Sequence, residues 1–159
     1  MPMFKRACVL LLLVVVASSW GHNSVPIAGQ APPATPRITL SPDQVKWMKS
    51  PDSTDKKEGA LLFGDRSKPE LFGLLVKWPP NTTAKAHSHP DNRYVMVVSG
   101  TFYYGHGSKF EDSKLERLPS GAYFTEPSGD AHFGATKDEG AILYFVGIGP
   151  DGMNQIERH

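Results

Sequence analysis

From Leu71 onward, short runs of β-branched, aromatic and aliphatic residues alternate with glycine- and proline-rich breaks, and no long helical period appears anywhere after the first twenty residues. Leu71 to Trp78, Arg93 to Val98, Thr101 to Tyr104, Tyr123 to Thr125 and Ile142 to Val146 have the composition of strands. Pro79-Pro80-Asn81, Ser99-Gly100, Gly105-His106-Gly107-Ser108, Pro119-Ser120-Gly121 and Ser128-Gly129-Asp130 separate them. A chain punctuated in this way can bury its apolar residues only by folding strands onto one another, so the pattern predicts an all-β antiparallel sandwich or barrel. One helical turn fits at Ser41 to Val45, with Ser41 as cap and Pro42 in the first helical position. The length of 159 residues favours one domain.

The first 21 residues are of another kind. Lys5 and Arg6 precede an unbroken apolar run, Ala7 to Ala17, and Ser18-Ser19-Trp20-Gly21 follow. A basic start, a short apolar centre and small residues after it read as a secretory signal peptide, residues 1–21, cut after Ser19 or Gly21. The run falls short of the ~20 residues that span a bilayer, so no stable membrane span is expected once the leader is removed. A periplasmic or secreted location follows. Residues 22–37, rich in Pro, Ala, Gly and Ser, read as a flexible linker, and residues 38–159 as the folded domain.

The only cysteine, Cys8, lies in the leader, so the mature chain has no disulfide, thiolate ligand or cysteine nucleophile. The 17 basic residues, less Lys5 and Arg6, leave 15 against 16 acidic ones. A near-neutral chain without a basic stripe gives no reason to expect nucleic acid as a partner.

Three histidines carry the chemistry. His87 and His89 are separated by one residue, so on a strand both rings point to the same side. If the segment carrying His132 lies beside them, three imidazoles meet at one point. Neutral imidazole ligates zinc, iron, copper and nickel, and such a point is a ready site for one divalent metal ion.

The surrounding spacing resembles that of the cupin superfamily, and specifically its small single-domain bacterial members with an RmlC-like barrel. The first family motif is a glycine, five residues, His-x-His, three or four residues, a glutamate, six residues and a glycine. Here Asn81 stands at the first glycine, His87 and His89 follow, Arg93 stands at the glutamate, and Gly100 closes the motif. The second motif fits at Gly121, Pro127, Gly129 and His132, with Thr136 at its closing asparagine. The resemblance implies a single cupin-type antiparallel β-barrel (a double-stranded β-helix or jelly roll) with His87, His89 and His132 as ligands of one divalent ion. That ion could be Fe, Mn, Zn, Ni or Cu.

The departures have physical readings. Asn81 accommodates a left-handed turn better than most residues. Arg93 has no lone pair to give a cation, so the fourth family ligand is missing. A three-histidine site would leave the metal's charge uncompensated and several positions open, which favours a small anionic ligand. Arg93 reads either as substrate-facing or as the partner of Asp91. Glu126 reads either as a base in catalysis or as a group that satisfies the turn before Pro127, and neither it nor Asp91 is taken as a ligand. Tyr94, Tyr103 and Tyr123 are candidates for the barrel mouth, with Tyr94 and Tyr103 as substrate contacts, or else for packing. Trp47 and Trp78 are expected on the barrel exterior or its end, His106 in a loop, and Lys109 to Arg117 in a solvated loop.

Two functions fit this pattern. One is an enzyme acting on a small anionic molecule, with chemistry of the dioxygenase kind implied by the resemblance. The other is a non-catalytic module that binds or senses a metal or small ligand. Exposed strand edges also make a homodimer an expectation.

Overall fold

The computed structural model describes residues 36–49 and 56–157. The chain divides into two units, Met1–Ile38 and Thr39–His159. The leader and nearly all of the linker lie outside the described residues.

The second unit is built from strands. In chain order they are β1 (Met48–Lys49), β2 (Glu58–Phe63), β3 (Leu71–Trp78), β4 (Thr83–Ser88), β5 (Arg93–His106), β6 (Glu116–Pro119), β7 (Tyr123–Glu126), β8 (His132–Ala135), β9 (Ala141–Ile148) and β10 (Asn154–Gln155). The only helical pieces among the described residues are 3₁₀ turns at Pro42–Gln44 and Asp112–Lys114. The first is the turn read from Ser41 and Pro42. All pairings are antiparallel, and the order is β1-β2-β3-β9-β5-β8-β4-β10, with β6 and β7 also on β5.

β5 makes the sheet curl. Its first half pairs with β9 and β7, and its second half with β6 and β8. The sequence reads Ser99-Gly100 as a break between two strands, whereas the structure makes it a corner within one. The register slips between Val97 and Ser99, and Gly100 takes φ 75°. A Cβ at Gly100 would run into the Gly140 carbonyl, so glycine is required there for conformation and for space. The slip also changes which side chains face inward. Val95 and Val97 are buried before the corner, Phe102 and Tyr104 after it.

The core comprises Phe72, Leu74, Trp78, Val95, Val97, Phe102, Tyr104, Ala141, Leu143 and Phe145. Trp78, expected on the barrel exterior or its end, is only 8% exposed and meets Phe102 edge-on at 5.0 Å. β3 ends there, and Trp78 is held by its register with Ala141 at the start of β9. Six strands escape the sequence pattern, two of them the two-residue β1 and β10. β6 is hidden in a charged stretch, β4 and β8 carry inward histidines instead of apolar residues, and β2 alternates weakly.

Candidate metal centre

His87 sits near the end of β4, His89 one residue beyond it, and His132 begins β8. His87 and His132 are direct partners across β4 and β8. The ring centroids stand 4.5 Å apart for His87–His132, 5.0 Å for His87–His89 and 5.1 Å for His89–His132. One donor atom from each histidine lies within 4.8 Å of the others, so the group could hold a metal ion. All three rings are buried.

Which nitrogen faces the centre is fixed by backbone carbonyls. His87 Nδ1 contacts the Lys85 carbonyl at 2.6 Å, His89 Nδ1 the Gly152 carbonyl at 2.6 Å, and His132 Nδ1 the Asp130 carbonyl at 3.0 Å. A carbonyl only accepts, so each Nδ1 donates and each Nε2 keeps its lone pair. Burial holds all three imidazoles neutral. It lowers the His87 pKa, and it takes His89 to about 3, with the neighbouring Arg93 charge adding to the effect. Burial and then His87 bring His132 to about 4. Neutral imidazole is the form that binds metal.

Loop contacts hold the two motifs together. Gly129 N–H donates to the His89 carbonyl at 2.8 Å, and Ser128 Oγ to the Pro90 carbonyl at 2.7 Å. At the other end, Thr136 Oγ donates to the Pro79 carbonyl at 2.5 Å and accepts from Thr82 N–H at 3.1 Å. Asn81 takes the left-handed turn expected of it, with φ 53°. Thr136 and Asn81 thus act as braces in the positions where the family pattern has asparagine and glycine.

Arg93 is buried, and every guanidinium nitrogen is engaged within the protein. Nε donates to Asp91 at 2.9 Å, and Nη2 to Asp91 at 3.2 Å and to the Gly152 carbonyl at 3.0 Å. Nη1 points at His89 Nε2, 3.2 Å away. Of the two roles open from the sequence, the geometry carries the ion pair.

Glu126 is 5% exposed. Its Oε2 lies 3.5 Å from His89 Nε2 and its Oε1 3.6 Å from His132 Nε2. Burial pushes its carboxyl up to about 7, against the pull of the Arg93 charge. It does not satisfy the turn before Pro127, because its oxygens face the histidines.

The expected tyrosines are not at the site. Tyr94 and Tyr123 are 52% and 58% exposed on the outer face, and Tyr103 lies under the Lys137 ammonium, 4.7 Å from its ring centre. None of the three lines the central cavity. Tyr104, which the sequence reading passed over, does, with its ring 5.5 Å from His132. Burial raises the Tyr104 pKa, so its phenol keeps its proton. His106 ends β5, exposed and hydrogen-bonded to Asp130.

The cavity measures ≈ 800 Å³. The three histidines, Glu126 and Arg93 line one part of it, and Leu74, Val76, Trp78, Phe102 and Phe145 supply apolar wall. Among the described residues, four buried side-chain polar atoms lack a hydrogen-bond partner: Trp78 Nε1, Tyr104 Oη, Glu126 Oε2 and His132 Nε2. All four belong to residues lining this cavity. Buried polar atoms left without partners mark the place where an ion, water or ligand belongs, so the donor set fits a divalent cation.

Comparison with known proteins agrees with this architecture. The family described as the ChrR cupin-like domain matches residues 35–151. No curated protein matches the sequence. Among solved structures, the polyketide cyclase RemF from Streptomyces resistomycificus aligns with a TM-score of 0.63 at 13% identity, over 77% of this chain and 87% of its own. A cupin-superfamily sugar phosphate isomerase from Silicibacter pomeroyi gives 0.60 at 16%, over 76% and 83%. An RmlC-like cupin from Shewanella frigidimarina gives 0.55 at 17%, over 71% and 91%. At these identities the likeness is one of fold.

Proposed function

Since this chain belongs to the ChrR cupin-like domain family of cupins, we propose that it is an exported, metal-dependent enzyme that acts on a small organic molecule bearing an anionic oxygen group. The observation that carries the proposal is the orientation of the three histidines: each Nδ1–H is tied to a carbonyl, which leaves three neutral Nε2 atoms for one ion. His87, His89 and His132 would hold it. When bound, a divalent metal would supply Lewis acidity or, as iron, positions for dioxygen. The preference for an anion rests on the metal's charge, because the Arg93 charge is already met by Asp91. The apolar wall would pack the body of the substrate, and the Tyr104 phenol is placed to donate a hydrogen bond to it. Export rests on the leader pattern of Lys5, Arg6 and the Ala7 to Ala17 run.

The test uses the full chain. Elemental analysis should find about one divalent ion per chain in the wild type and none in a His87→Ala, His89→Ala, His132→Ala variant. Equal content in the two would sink the metal site. Oxygen uptake and product formation, followed over small carboxylic acids and diketones with the metal-loaded protein, then test for turnover. Tight ligand binding with no turnover would favour a binding module.

A second reading is supported by one contact. Arg93 Nη1 points at the lone pair of His89 Nε2 that a metal would use. In that reading the guanidinium stands in for the ion and the barrel binds its ligand without metal. A wild type that stays metal-free after incubation with zinc or ferrous salts would select it.

A further inference from the structure

We infer that Glu126 is the fourth ligand of the metal centre, delivering from β7 the carboxylate that position 93 lacks. The inference rests on the metal-centre reading above and adds to it a residue that the family's motif does not place there.

The register explains how the carboxylate arrives. Arg93 and Glu126 are direct partners across β5 and β7. Along β7, Phe124 packs inward against Phe102 and Tyr104, so Glu126, two residues on, turns to the same side. The glutamate of the family pattern would sit on β5. Here the acid stands one strand to the side, and the cation at position 93 is paired with Asp91.

The distances suit ligation and little else. Two donors each about 2.0–2.2 Å from one zinc stand about 3.4 Å apart at a tetrahedral angle. Glu126 lies 3.5 and 3.6 Å from the Nε2 atoms of His89 and His132, beyond the usual length of an N–H···O hydrogen bond. Those nitrogens carry no proton to give, since their rings donate from Nδ1. Glu126 Oε2 and His132 Nε2 accordingly make no hydrogen bond. A carboxyl this deeply buried is kept ionised only by a counter-charge. The nearest guanidinium is held by Asp91 in a two-point pair and by the Gly152 carbonyl, which leaves a metal as the cation that meets both orphaned atoms.

The experiment compares the full chain with Glu126→Gln, which keeps shape and removes the charge. Zinc affinity is measured by chelator competition, and cobalt(II) is used as a probe whose visible bands report the donor set. The expected result is a loss of zinc affinity of about 100-fold or more, at or above the range seen when a supporting group is removed, together with shifted cobalt bands. Zinc affinity within two-fold of wild type with unchanged bands would overturn the inference while leaving the three-histidine centre standing. A wild type that binds neither zinc nor cobalt would instead remove the centre itself. If the glutamine variant does not fold, Glu126→Asp replaces it. That variant keeps the charge and draws the oxygens back by one methylene, and at least a ten-fold loss is expected, with wild-type affinity and bands again overturning the inference.

Discussion

Two cross-strand pairs face the cavity, and they are held in different ways. His87 and His132 join β4 to β8, and Arg93 and Glu126 join β5 to β7. In the first pair each ring is oriented by the carbonyl two residues before it, Lys85 for His87 and Asp130 for His132. The orientation is therefore local and travels with the strand. In the second pair nothing is local except Asp91. Arg93 also reaches the Gly152 carbonyl, which itself accepts from His89, and lies 3.6 Å from Asp151. Glu126 has no hydrogen-bonded partner for Oε2 at all. The His87–His132 pair is thus built from its own turns. The Arg93–Glu126 pair depends on charge balance and on the C-terminal segment.

If that contrast is right, the first pair should fail by losing metal alone, and the Arg93 side of the second by losing stability. The largest effect is expected from His132→Ala. It removes a ligand without exposing a charge, so bound metal should vanish from elemental analysis while the metal-free protein stays folded. A variant that retained a full metal complement would break the comparison. Arg93→Met comes next. It strands the Asp91 carboxylate in the interior, where removal of one partner of a buried pair costs about 3–5 kcal/mol. Thermal unfolding of the metal-free protein should show it, and adding Asp91→Asn should return most of the loss. If Arg93→Met unfolds like the wild type, the guanidinium does not anchor Asp91.

The first pair was legible in the sequence and the second was not, for physical reasons. His-x-His on a strand forces two rings to one side, and the motif carrying His132 brings the third. The strands that read clearly, Leu71–Trp78 above all, are those whose residues are apolar on both faces or strongly β-branched. Tyr103 was a natural candidate for the site, and Tyr104 occupies it. The slip between Val97 and Ser99 changes which alternate residues face inward, and a slip of this kind leaves no mark in composition. Glu126 had one signal available: it follows Phe124 at the spacing that keeps both on one face. What could not be read was the pairing of β7 with the start of β5, which turns that face toward the histidines. Arg93 and Asp91 sit two residues apart, so their ion pair could be named beforehand, but its burial and its reach to Gly152 depend on the fold.

Smaller effects sharpen the local character of the first pair. Thr136 braces the far ends of β4 and β8 through the Pro79 carbonyl and Thr82 N–H. Thr136→Val keeps the shape and removes both bonds, so a loss of about 1–2 kcal/mol is expected in denaturant unfolding. Metal affinity should be unchanged, because neither histidine is oriented through Thr136. A selective loss of metal would show that the orientation is not local after all.

The smallest effect lies where β10 covers the other end of β4, with Gln155 opposite His87. Just beyond β10, the Glu157 carboxylate accepts from Phe110 N–H at 2.8 Å, and that bond lowers its pKa. A carboxyl whose folded pKa is depressed stabilises the fold above its unfolded value and loses that contribution as pH falls through the lower folded value. Glu157→Gln can still accept the bond but carries no charge. The variant should therefore melt slightly below the wild type at neutral pH, and the gap should close as the pH drops below about 4. Melting curves across that range decide it. A gap that stays constant into acid would mean that the charge contributes nothing and that this segment is held by its backbone, through β10 on β4 and the Ile156 and Glu157 N–H bonds to the Ala86 carbonyl.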